Sequence, residues 1–234
     1  LVDLVLGEAL AGVLSEAGFR VVELAGLGEP EKLLAAMEAG DVDIAWWVGA
    51  APPAGAAAYW SVPADLRWDL IVPAQTAREL DVASISAFVG SRGAEGREIA
   101  VPSEIPGDTQ KRFADAYGVS AKALRQTATR DEAEALLKFG SVAAALLQNV
   151  EETATVGGFV RLEDNAFVLP GKPIGVVVAR DALLRLPEVE ETFARLSPRL
   201  TEQALRSLAS RVRLLHREPF DVVMEFLGNE GLIQ

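Results

Sequence analysis

Apolar and polar positions in this chain fall into alternating segments of helical and strand length. Leu4, Leu6, Leu10 and Leu14 recur on a helical spacing, which predicts an amphipathic helix over residues 3–17 closed by Gly18. Phe19–Leu24 then predicts a short strand, Glu31–Glu38 a helix ended by Gly40, and Val42–Trp47 a buried strand. A loop rich in Pro, Gly and Ala follows, and Trp68–Pro73 reads as a further strand. In a second cycle, Ser84 caps a short helix through Val89, and Glu98–Val101 is a strand. A helix over 108–117 is closed by Gly118, Leu124–Gln126 is a short strand, and a helix Asp131–Phe139 is closed by Gly140. Val142–Gln148 is a strand, a polar stretch from Glu151 to Thr155 and Gly157–Gly158 lead into Phe159–Glu163, and Lys172–Arg180 is a strong strand. The tail is helical: Pro187–Leu196, Thr201–Arg213 and Pro219–Gly228. Alternation of this kind predicts an α/β protein with mainly parallel sheets.

A helix–glycine–strand pattern occurs twice, in LLAAMEAGDVDIAW at 33–46 and LLKFGSVAAALL at 136–147. Two α/β lobes of similar build would bring both strand ends to one cleft. Ligands of open α/β sheets bind beyond the carboxyl ends of strands, which makes Trp46–Gly49 and Gln148–Asn149 candidate facing walls.

Composition sharpens this picture at one place. All four tryptophans, Trp46, Trp47, Trp60 and Trp68, lie between residues 46 and 68 with Tyr59 among them, and the one other tyrosine is Tyr117. Indole faces are the strongest side-chain partners of soft cations. The competing reading is a loop whose tryptophans fold back onto the core. The net charge of −12 argues against nucleic acid and anionic membrane surfaces as partners. No cysteine is present, so thiolate and disulfide chemistry is excluded. The one histidine, His216, sits beside Arg211, Arg213 and Arg217 and reads as a helix-end surface residue. The uncharged run from Ile44 to Trp60 holds Pro52 and Pro53 and does not read as a membrane span. The chain opens inside a helical pattern without an initiator Met, so any leader segment is expected before Leu1.

Catalytic arrangements fit poorly. His216 has no nucleophile elbow to serve, the glycines from Gly90 to Gly96 follow no strand, and zinc would lack its usual ligands. The pairs Asp41/Asp43 and Glu163/Asp164 suit a hard cation or, more simply, strand-end turns. No metal or cofactor is expected. In IPGDTQ at 105–110, Asp108 or Thr109 is placed to cap the following helix, whose free N–H groups can also hold an anionic group.

LVLGEALAGVLSEAGFRVVELAGLG, EKLLAAMEAGDVDIAWWVG, DLIVPAQTARELDVASISAF, FVRLEDNAFVLPGKPIGVVVARDAL and the final helices from LSPRL to NEGLI together resemble osmoprotectant-type substrate-binding proteins of ABC transporters. These carry glycine betaine, choline or carnitine. The resemblance implies a two-lobed type II periplasmic-binding-protein fold, each lobe a mainly parallel sheet flanked by helices, with the chain crossing twice between lobes. Residues 1–74 and 172–234 would form lobe one and 75–171 lobe two, placing all four tryptophans in lobe one. It implies a non-enzymatic, monomeric protein, in the periplasm or lipid-anchored outside the membrane, that delivers a cationic or zwitterionic amine to a permease. The implied ligand contacts are Trp46, Trp47, Gly49, Trp60, Trp68, Asp108, Thr109, Gln148 and Asn149. Relatives have a tyrosine-bearing run where this chain reads Trp46-Trp47-Val48-Gly49, and further cage tyrosines near Gln148 and near Pro170, where this chain has none. A different, larger or aromatic solute is the alternative on the same fold. An effector or enzyme domain is a third.

Overall fold

The computed structural model describes residues 1–24, 30–49, 56–91, 96–149 and 158–234. The loop expected over 50–55, the centre of the Gly-rich turn at 92–95 and the polar stretch through 151–157 lie outside them. The chain divides into two compact units, one of Leu1–Leu66 with Lys172–Gln234 and one of Arg67–Gly171.

The first unit opens with α1 (Val2–Glu16), which buries Val2, Val5, Leu6, Ala9, Val13 and Leu14 along one stripe. Gly18 ends it in the left-handed region (φ 86°), with the Phe19 amide donating back to Leu14 O at 3.0 Å. Then come α2 (Pro30–Ala39), β1 (Ile44–Val48) and β2 (Ala56–Leu66).

The second unit holds β3 (Trp68–Pro73), α3 (Ala74–Leu80), α4 (Ile85–Gly90), β4 (Ile99–Pro102), α5 (Gly107–Tyr117), β5 (Leu124–Thr127), α6 (Arg130–Lys138), β6 (Ala144–Gln148) and β7 (Phe159–Arg161). The chain then returns to the first unit through β8 (Lys172–Ala179), α7 (Arg180–Arg185), α8 (Val189–Leu196), α9 (Glu202–Leu214) and α10 (Pro219–Asn229).

In the first unit the strands order β1-β8-β2. β8 lies in the middle because Ile174, Val176, Val177 and Val178 are apolar on both faces, and all four are fully buried. Both of its pairings are antiparallel, which corrects the expectation of a mainly parallel sheet in this unit. Phe19–Leu24, the expected first strand, lies outside any described ladder and exposes Val22 and Leu24. Along the outer edge of β1, which no described strand pairs with, a cavity of about 640 Å³ separates that segment from Val42–Trp46.

The second sheet orders β5-β4-β6-β3-β7. Its β5-β4-β6 part is parallel, while β3 runs antiparallel to both of its neighbours, β6 and β7. One face packs Leu70, Val72, Phe88, Phe113 and Leu146; the other packs Ile71, Ala133, Leu137 and Leu147. Because β3 pairs with β6 and β7, the chain leaves the first unit at Leu66 rather than near residue 74. Trp68 therefore belongs to the second unit, and the tryptophan cluster is divided between the two.

Candidate functional site

In the first unit the aromatic residues fall on the two faces of one sheet. Consecutive strand residues point to opposite faces, so Trp46 and Trp47 cannot share one. Trp46 Nε1 donates to Leu6 O of α1 at 2.6 Å. Trp46 and Trp60 both lie opposite Val176, one on each side, and Trp60 packs against Phe193 of α8 with ring centroids 5.3 Å apart. Trp46 and Trp60 thus flank one position on the helix-covered face.

Trp47 lies opposite Gly175, and Tyr59 opposite Val177, two residues on and on the same face. The Tyr59 ring crosses Gly175 so closely that a Cβ there would meet Tyr59 Cε2 at 2.3 Å. Trp47 and Tyr59 therefore bracket a glycine. The Tyr59 hydroxyl is buried and has no hydrogen-bond partner among the described residues. Gly49 completes this end of β1. Its amide donates to Pro173 O at 2.8 Å, and a Cβ on it would meet Trp47 Nε1 at 2.7 Å, so a side chain would displace the indole. Tyr59 escaped the sequence-based site because β2, rich in Ala and holding Pro63, does not look like a strand.

In the second unit Trp68 is half-buried against the core and lies opposite Gln148. Gln148, the last residue of β6, accepts a hydrogen bond from Arg130 Nη1 at 3.2 Å. Asn149 is fully buried. Its Oδ1 accepts from the Arg67 amide at 3.1 Å, and its own amide donates to Arg67 O at 3.0 Å. Arg67 Nε in turn donates to Asp69 Oδ1 at 3.2 Å, and Arg161 Nη1 to Asp69 Oδ2 at 3.5 Å. Burial pushes the Asp69 carboxyl up from the ordinary range, against the opposing pull of Arg67 and Arg161. Asn149 thus stitches the start of β3 to the end of β6.

The residues at 105–110 differ from expectation. α5 starts at Gly107 with Pro106 in the N-cap position and no side-chain cap, because Pro106 sets the backbone geometry and its carbonyl receives the Thr109 and Gln110 amides. Neither Asp108 nor Thr109 caps the helix. Asp108 is exposed 4.0 Å from Arg112, and Thr109 Oγ1 accepts from Arg112 Nη2 at 3.2 Å. The acidic pairs are engaged too: Arg185 Nη2 donates to Asp43 at 2.5 Å, and Asp164 accepts from Tyr117 and from the Leu169 amide. Among the described residues no group of three or more acidic or His side chains is arranged to hold a metal ion.

Of the candidates, Trp46 alone lines the cavity beside β1, whose walls are otherwise residues such as Leu4, Leu10, Leu14, Phe19 and Val42. Among the described residues no helix is long and apolar enough to cross a membrane.

Comparison with known proteins places this arrangement. Residues 3–229 match the family described as the substrate binding domain of ABC-type glycine betaine transport systems. No curated protein compared with the chain matches it. Among solved structures the chain is similar to a glycine betaine/carnitine/choline ABC transporter protein at 15% identity, covering 100% of this chain and 96% of that one, with a TM-score of 0.83. It is also similar to a lactococcal protein in its closed-liganded conformation with glycine betaine, at 12% identity, 98% and 92% coverage and a TM-score of 0.69. A choline-binding ABC-transporter protein in complex with choline shares 13% identity over 99% and 86% of the two chains, with a TM-score of 0.63. At these identities the structures establish the shared fold, and the match over residues 3–229 establishes more: this chain belongs to the family of substrate-binding domains of ABC-type glycine betaine transport systems, the solute-binding components of those importers.

Proposed function

We propose that this chain captures a small quaternary-ammonium or zwitterionic solute of the betaine and choline class and delivers it to a membrane permease. It does so outside the cytoplasmic membrane, as a monomer and without catalysing a reaction, with Leu1–Leu66 plus Lys172–Gln234 and Arg67–Gly171 serving as its two lobes. The observation that carries the ligand class is the Trp47 and Tyr59 pair on one sheet face, either side of Gly175, within a family built to bind betaines. An indole face and a phenol face attract a quaternary ammonium by about 0.5–2 kcal/mol each, more where water is excluded. Trp47 and Gly49 lead the candidate contacts of the first unit, with Trp46 and Trp60 turned toward the helices. In the second unit the candidates are Gln148 and Trp68, with Asp108, Thr109 and Asn149 supporting.

Calorimetric titration with choline, glycine betaine, carnitine and proline betaine tests this reading. Saturable binding of at least one of them is expected. Absence of heat with all four, from protein whose fold is verified by circular dichroism, would overturn it.

A second reading keeps the transport role and changes the solute. The resemblance implies cage tyrosines where this chain reads Trp46-Trp47 and further ones near Gln148 and Pro170, where this chain has none, and that difference suits a larger or aromatic ligand. Native mass spectrometry of protein purified without refolding separates the two by the mass of any retained ligand.

A further inference from the structure

The Tyr59 hydroxyl is enclosed and has no hydrogen-bond partner among the described residues. A phenol that gives up water without gaining a partner lowers stability, and such groups are few in folded proteins. Phenylalanine would fill the same space without that cost. The ring is also closely held: a Cβ on Gly175 would meet Tyr59 Cε2 at 2.3 Å and Cζ at 2.4 Å. Tyr59 starts opposite Val177, so the ring runs along β8 and carries its hydroxyl end to Gly175, the residue that Trp47 also faces. Ser61 lies across from Gly175 on the other side and is exposed. Trp47, Gly175 and Ser61 therefore form one row across the three strands, and the phenol end reaches it. Ala45, Gly175, Val177 and Ser61, which share this face, bring no charge to it. A carboxylate brought onto the row would lose water without meeting a cation from these positions, whereas a neutral hydroxyl needs only a hydrogen-bond partner.

We propose that the Tyr59 hydroxyl pairs with a hydroxyl of the bound solute, so that this chain favours ammonium alcohols over quaternary ammonium ions that carry no oxygen. The inference rests on the betaine- and choline-class reading above and narrows it. The phenol both donates and accepts, so it matches an alcohol in either direction. The ammonium group lies against the Trp47 indole, and the alcohol arm reaches across Gly175, where no side chain stands in its way. A site built to bond a hydroxyl rejects the analogue that lacks it, because its own polar group then stays unpaired. Ethyltrimethylammonium is choline without the hydroxyl, so this pair of ligands isolates the role of the Tyr59 oxygen.

The test is calorimetric titration of choline and of ethyltrimethylammonium into the wild-type chain and Tyr59→Phe, with thermal melts of both proteins without ligand. The wild type is expected to bind choline about tenfold or more tighter than ethyltrimethylammonium. Tyr59→Phe is expected to bring that ratio below about threefold, chiefly by weakening choline. Without ligand, Tyr59→Phe is expected to melt no earlier than the wild type, because the oxygen it loses has no partner. A hydroxyl with a purely structural role predicts the reverse: an earlier melt and an unchanged ratio. Either of those results, or a wild type that binds the two ligands equally, overturns the proposal and leaves the broader reading standing. A wild type that binds glycine betaine but not choline overturns it in the same way. Failure of the wild type with choline, glycine betaine, carnitine and proline betaine alike removes the broader reading and this inference with it.

Discussion

Tyr117 Oη donates to Asp164 Oδ1 and accepts the Ala166 amide at 3.0 Å, so one phenol ties the end of α5 to the segment between β7 and β8. Asp164 Oδ2 meanwhile receives the Leu169 amide at 2.7 Å. Between these bonds Phe167 is held in the left-handed region (φ 54°) with its ring 86% exposed, a conformation that a bulky side chain adopts only under constraint. Tyr117→Phe keeps the contact of the ring with Phe113 and removes the hydroxyl. It is expected to lower stability by about 1.5–3 kcal/mol, the range for a hydrogen bond to a charged group. Urea denaturation of the two proteins at neutral pH reads the difference. A variant as stable as the wild type would show that the loop is held by its apolar anchors alone.

The same phenol carries a pH dependence. Burial first, then the hydrogen bond to Asp164, pushes Tyr117 up from 10.0 to about 12. The folded state therefore keeps a proton that the unfolded state loses between those values. Stability contributed by this group is complete below pH 10 and is lost as pH rises toward about 12. Tyrosinate absorbance in a Tyr59→Phe background, followed in native and urea-unfolded protein, should show one late and one ordinary titration. Coincident curves would contradict the buried hydrogen bond.

Gly175 and Gly12 make a contrasting pair. A Cβ at Gly175 would lie 2.3 Å from Tyr59 Cε2 and 2.7 Å from the Trp60 carbonyl oxygen, which is backbone and cannot swing aside. At Gly12 the nearest atom, at 2.5 Å, is the terminal methyl of Met224, an adaptable side chain. Gly175→Ala should cost about 3 kcal/mol or more and displace Tyr59, as overpacking does. Gly12→Ala should cost clearly less, because Ala also favours helix α1. Thermal melts of both variants give the comparison, and equal losses would mean that the Tyr59 ring yields as easily as Met224.

These relationships mark where sequence reading stops. Helix ends were legible because they depend on local chemistry: Gly18, Gly40, Gly118 and Gly140 all take positive φ, and Ser84 Oγ accepts the Ala87 amide at 3.3 Å. Strand pairing is not local. Ala56–Leu66 has the composition of a loop and becomes an edge strand because β8 offers a long apolar neighbour, with a register shift between Ser61 and Asp65 that accommodates Pro63. Phe19–Leu24 has the composition of a strand and lies outside every described ladder. The tryptophan cluster was visible at once. Its division between two sheet faces and two units follows from register, which no composition reports. Arg130 escaped notice because only the parallel pairing of β4 with β5 and β6 brings it to the end of the strand that carries Gln148.

Asn149 reads differently in space than in sequence. As a fully buried residue bonded to both backbone groups of Arg67, it supports the strand end rather than meeting solvent. Asn149→Ala leaves the Arg67 amide without its side-chain acceptor and is expected to cost about 1–3 kcal/mol in stability. Any loss of ligand affinity should be accompanied by that loss of stability. Denaturation and titration on the same preparation test the link. A large affinity change at unchanged stability would move Asn149 into direct ligand contact.

Trp46 and Trp47 are adjacent in sequence and should behave as opposites. Trp46 is anchored through Nε1 to Leu6 O and faces the helices, so Trp46→Ala removes both packing and a hydrogen bond. A stability loss of about 3–5 kcal/mol is expected, as for other large aromatic truncations. Trp47 lies on the other face, opposite Gly175 and beside Gly49. If its indole is the ammonium-binding face, Trp47→Ala should reduce ligand affinity at least tenfold with little change in melting temperature, and Trp47→Tyr should recover part of the affinity. Melting curves and titrations of both alanine variants separate the two roles. A Trp47→Ala protein that melts as early as Trp46→Ala, with binding scaled down only by the unfolded fraction, would assign both indoles to the core.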